Sequence, residues 1–171
     1  MLWNHLKAGP LSAPMAWGPL GTLEGRTASE LLDAECARLK QYVAAIANAD
    51  DPARELATKA SARAKLREFS ANKEDVADIR QDVRVAVSGV GAAASGMVAG
   101  DVVEGYVQAD TIDALVQEYL LEERCGGNVR LRDGGSHELG KARVAADLAD
   151  WGRARELGEA NRIVDELLQE L

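Results

Sequence analysis

Along most of the chain the apolar positions recur at three- and four-residue steps, the period of one helical face. Leu32, Cys36, Leu39, Val43 and Ile46 form the first such row. Thr27 and Glu30 ahead of it have capping-box spacing, in which hydroxyl and carboxylate satisfy each other's free amides. This row predicts a helix ending near Asn48. Asp51-Pro52 supplies an N-cap and a first-turn proline for a second helix reaching about Phe69. A third begins after Asn72 and carries Val76, Ile79, Val83, Val87, Val90, Ala94 and Met97 at the same steps. Asp101 to Gln108 reads as its continuation beyond a kink around Gly96 to Gly100. Asp110-Thr111 starts another helix, through Leu115, Val116, Tyr119 and Leu120, which stops at Gly126-Gly127. The last helix opens at Ser136 and runs to or near Leu171, through Val144, Leu148, Trp151, Leu157, Val164 and Leu167.

Two stretches break this period. In residues 1–25, Pro10, Pro14 and Pro19 alternate with Gly9, Gly18, Gly21 and Gly25, which reads as an extended N-terminal arm. Asn128 to Gly135 is the one expected hairpin, with Asp133-Gly134 as its turn. The expected fold is therefore all-α. It is a single bundle of about five helices over residues 26–171, with the arm before it and one small hairpin ahead of a long C-terminal helix.

Residues 83–94 can be parsed a second way. Val83, Val85 and Val87 alternate, and Gly89-x-Gly91-x-x-Ala94 has the outline of a dinucleotide-binding loop. Seven positions fit the helical step against three for alternation. The second strand with an acid about 20 residues on is also missing, so the helix is preferred.

Composition adds limits. The chain has 171 residues, 47% of them apolar but only 4% aromatic, and a net charge of −8. An acidic surface argues against a general nucleic-acid coat, which needs cations to neutralise phosphate. The stretch Val85 to Gly100 is uncharged but sixteen residues long. A membrane-spanning helix needs about 20, so membrane association is not expected. Cys36 and Cys125 have no CxxC or Cys/His neighbourhood, and the first residues lack a signal-peptide pattern. Location in the cytoplasm, or in an assembled particle, is the expectation.

Candidate chemistry is sparse. His5 and His137 have no ligand partner one helical turn away, and no HExxH, GxSxG or GxxxxGK[ST] is present. No catalytic set, metal site or cofactor is expected. Charge placement says more. Lys59, Arg63 and Arg67 recur every four residues as a basic stripe, whereas Asp101 to Glu123 carries seven acids and no Lys or Arg. Such segregation suggests pairing within the fold or between subunits. With the aromatic anchors Trp3 and Trp17 of the arm, the stripe forms a candidate partner-binding set. Arg130, Arg132, Lys141 and Arg143 cluster around the hairpin as candidate phosphate contacts. Tyr106 with Asp110, and Tyr119 with Glu123, resemble the Tyr-x-x-x-Asp/Glu signal of type VII secretion substrates. That family's Trp-x-Gly turn is absent, and no membership follows.

These features together suggest a non-enzymatic assembly or protein-interaction component acting in an oligomer, its partner being itself or another protein subunit. The alternatives are a nucleic-acid-binding regulator that uses the basic hairpin patch, or a helical enzyme without a recognisable motif.

Overall fold

A computed structural model describes residues 13–25, 33–134 and 139–171. Trp3, His5, the Thr27–Glu30 capping box, Ser136 and His137 lie outside these residues. In chain order the elements are α1 (Ala13–Leu23), α2 (Asp33–Ala47), α3 (Pro52–Lys59), β1 (Leu66–Ser70), α4 (Lys73–Gln81), β2 (Ala86–Val87), β3 (Val103–Val107), α5 (Ile112–Glu118), β4 (Glu122–Glu123), β5 (Val129–Asp133), α6 (Lys141–Trp151) and α7 (Ala154–Gln169). The five strands make one mixed sheet in the order β2-β3-β5-β1-β4. The protein is therefore α/β, and the all-α expectation does not hold.

The correction falls on particular segments. The second helix stops at Lys59, and Leu66–Ser70 leaves it to become β1. The third stops at Gln81; beyond it lie β2 and two single turns of 3₁₀-helix, Gly89–Gly91 and Ala93–Ser95. Val83, counted on the buried row, is 95% exposed. The Asp101 to Gln108 stretch is β3, not helix. The residues of the expected hairpin that are described form one strand, β5, antiparallel to β1 (Phe69 opposite Val129) and parallel to β3 (Tyr106 opposite Arg132), so both of its edges are already paired. Gly152, left-handed at φ 66°, divides the long C-terminal helix into α6 and α7. Within the expected extended arm, Ala13–Leu23 is helical. Pro14 stands in its first turn, where a missing N–H is harmless. Gly18 brings α1 against α2, because a Cβ there would lie 2.4 Å from Leu39 Cδ2.

Two apolar cores flank the sheet. On one face Phe69, Val103, Val107, Val129 and Leu131 meet Val76 and Ile79 of α4 and Ile112 and Leu115 of α5. The other core is helix on helix: Leu20, Leu23, Ile46, Leu56, Leu148, Ile163, Val164 and Leu167 bring together α1, α2, α3, α6 and α7. Between this helical layer and the sheet lies the second sheet face. Side chains alternate across a strand, so that face carries Glu104 and Tyr106 of β3, Arg130 and Arg132 of β5, and Glu68 of β1. All but Glu68 are at most 5% exposed.

Candidate functional site

The sealed polar face is the densest chemistry in the described residues. Alternation in Val103-Glu-Gly-Tyr-Val107 and Val129-Arg-Leu-Arg-Asp133 sends one residue in two toward α6. Helical spacing along α6 places Asp147, Asp150 and Trp151 one turn apart above them. Arg63, from the loop after α3, enters from the side.

Asp147, fully buried, is the hub. Its Oδ1 accepts from Arg63 Nη2 at 2.5 Å and from the Tyr106 hydroxyl at 2.9 Å, while Oδ2 accepts from the Ser88 hydroxyl. Arg132 Nε lies 3.1 Å from Oδ1, though without hydrogen-bond alignment. Arg63 also donates Nε to the Tyr106 oxygen at 3.0 Å and Nη1 to the Ala60 carbonyl at 3.0 Å. Asp150 Oδ2 accepts from Arg63 Nη2 at 2.5 Å and from Arg132 Nη2 at 2.7 Å. Glu104 accepts from Arg132 Nη2 at 3.2 Å and from the Trp151 indole N–H at 2.7 Å. Arg130 lies over the Trp151 ring, 4.4 Å from its centroid, with Nε 3.2 Å from Glu68 Oε1.

Burial and charge set the protonation states. Burial pushes the Asp147 carboxyl up, but Arg63 and Arg132 more than offset this and hold it below its ordinary value. Burial and the Asp147 charge raise the Tyr106 hydroxyl, so it stays a donor. The same two causes push Glu104 up to about 7, although Arg130, Arg132 and the Trp151 hydrogen bond pull the other way. Burial lowers Arg63, but the carboxylates of Asp147 and Asp150 and the Tyr106 oxygen raise it further, and it stays charged. Chemically the cluster is an electrostatic clamp. Ser88 is bonded to an ionised carboxylate already held by Arg63, and three arginines answer the acids. A buried pair of this kind adds little over an apolar contact, yet losing one partner strands the other.

The clamp reaches solvent at Asp150, whose side chain is 27% exposed. It lines a hollow of about 400 Å³ with Arg54, Ala57, Thr58, Ser61, Ala149 and Gly152. Among the described residues no group of three or more His, Cys, Asp or Glu side chains is placed to hold a metal.

The candidate partner-binding and phosphate-contact residues are scattered by this fold. Arg63, Arg130 and Arg132 meet in the clamp. Arg143, 8% exposed, lies 4.2 Å from the Trp17 ring centroid and 5.0 Å from that of Tyr106. Trp17 itself is half-buried against the helical core. Lys59 stands apart at the end of α3, paired with Glu55 at 3.2 Å. Arg67, on β1, pairs with Asp113 at 2.9 Å and Glu123 at 3.4 Å. Here the acidic stretch and the basic series do meet, within one chain. Lys141 is exposed at the start of α6, beside a hollow lined by Leu23, Glu24 and Leu167.

Sequence reasoning missed Ser88, Glu104, Tyr106, Asp147, Asp150 and Trp151 as a group. The available signal was alternation in Val103–Val107 and Val129–Asp133 with polar residues in every second place. No helix of the described residues is long and apolar enough to cross a membrane. Neither a family model, nor a curated protein, nor a solved structure matches the chain.

Proposed function

We propose that the protein is a non-enzymatic assembly or protein-interaction component that works in an oligomer of this chain, in the cytoplasm or within an assembled particle. Leu120 carries the reading. Helix α5 ends in a Schellman arrangement: the Leu121 N–H reaches back to the Val116 carbonyl at 3.0 Å, and Leu120 takes the left-handed position at φ 49°. That position favours glycine, and a larger residue there costs about 1–2 kcal/mol. Here it holds a leucine that is 82% exposed. Among the described residues none buries this side chain, and strain kept at an exposed residue points to a role outside the fold.

The neighbourhood suits a side-chain contact more than strand addition. Leu120 leads into β4, an edge strand of two residues, both glutamates. A short, charged edge discourages indiscriminate pairing. The nucleic-acid alternative has less support, because Arg130 and Arg132 are spent on Glu68, Glu104 and Asp150 inside the molecule. Light scattering on the full chain tests the proposal. A mass of two or more chains, falling toward one in Leu120→Asp, is expected; a single-chain mass for the unaltered protein overturns it.

A further inference from the structure

We propose that Glu104 and Trp151 form a proton-sensitive latch: it fastens the C-terminal end of α6 to the sheet while Glu104 is ionised and loosens when Glu104 takes up a proton. The geometry is specific. Glu104 is 1% exposed in the middle of β3, and its Oε2 accepts the Trp151 indole N–H at 2.7 Å. Gly89 makes room for that oxygen, since a Cβ there would fall 2.3 Å from it. Trp151 is the last residue of α6, directly before the left-handed Gly152, so its anchoring fixes the joint between α6 and α7.

The charges around Glu104 come from every element packed on it. From β5, Arg132 Nη2 lies 3.2 Å and Arg130 Nη1 3.9 Å from Oε1. From α6 come Asp147 and Asp150, both tied to Arg63 of the loop after α3. Glu68 of β1 holds the far side of Arg130, Arg143 of α6 lies over Tyr106, and Arg153 stands 5.0 Å from the Trp151 ring centroid. Ionised, Glu104 gives the indole a charge-assisted acceptor and answers Arg130 and Arg132. Protonated, it leaves Arg130 with Glu68 alone, and Arg130 already has two buried nitrogens, Nε and Nη1, without an aligned acceptor. Burial beside Asp147 puts the change at about 7. The coupling is reciprocal: if the indole favours the carboxylate, a proton on that carboxylate disfavours the docked indole.

The test follows the three tryptophan indole N–H signals of the full chain by nitrogen-correlated NMR, from about pH 5.5 to about pH 8.5, a span centred near neutrality. Trp151→Phe assigns the signal. His5 and His137 titrate in the same range, so the series is repeated in the double variant His5→Gln, His137→Gln. The latch predicts that the Trp151 signal moves with a midpoint near neutral pH, keeps that midpoint without the histidines and stops moving in Glu104→Gln. A Trp151 signal that stays fixed in the unaltered chain overturns the proposal. So does one whose movement disappears with the histidines or survives unchanged in Glu104→Gln. If Glu104→Gln does not fold, the first two comparisons decide alone.

Discussion

Asp147 shows what single residues do here. Three donors converge on its carboxylate, from the loop after α3, from β3 and from the turn before Gly89. Asp147→Ala takes from Arg63 its fully buried carboxylate and leaves it only the partly exposed Asp150, and breaking a buried pair in this way costs about 3–5 kcal/mol. Urea denaturation is expected to show a loss of that size. Exchanging Arg63 and Asp147 together for apolar residues should lose less than the two single changes added, because no charge is then left alone. Glu104 contributes with the opposite sign of pH dependence. Its folded value, about 7, lies above the ordinary carboxylate value, so the folded chain holds a proton that the unfolded chain releases. Its contribution is fully present below the ordinary value and is lost as the pH rises through about 7. Asp147, held low, contributes above the ordinary range and loses this as the pH falls. Urea midpoints measured against pH should therefore decline toward neutrality in the unaltered chain, and decline less in Glu104→Gln.

Elements were legible where one face alone is apolar. α3 and α4 begin where their caps and periodicity placed them, α2 ends at Ala47 close to the expected Asn48, and α5 follows Thr111 as its spacing implied. β3 was read as helix and β5 as half of a local hairpin, for a physical reason. Nearly all their residues are buried, on one face by an apolar core and on the other by charges that pair with α6. A strand buried on both faces is ordinarily apolar throughout; here Glu104, Arg130 and Arg132 interrupt that signature, so neither segment reads as a central strand. The pairing of β5 with β1 and β3 also joins segments distant in sequence, which no local pattern discloses. The same blindness turned Arg63, Arg130 and Arg132 into surface candidates. Gly152 could have been read as a stop between two helices, since its left-handed conformation is what divides α6 from α7. Gly152→Ala is expected to destabilise the chain by about 1–2 kcal/mol, measured by thermal or chemical unfolding.

At the scale of the molecule, the sheet has an apolar core on one side and a charged seam on the other, beyond which lies the helical core. This arrangement places Arg63, Arg130, Arg132 and Arg143 inside and leaves exposed acids on α5 and β4, near which Leu120 stands exposed. That leucine works against the fold that carries it. Leu120→Gly separates the two roles, because glycine relieves the left-handed backbone while it removes the side chain. The most direct measurement pairs light scattering with urea denaturation on this variant and the unaltered chain. An oligomer is expected for the unaltered chain. Leu120→Gly should show a mass closer to one chain, with a folded monomer at least as stable as before. An unaltered chain that is already monomeric, or a Leu120→Gly variant that keeps the full oligomeric mass, would contradict the proposed assembly.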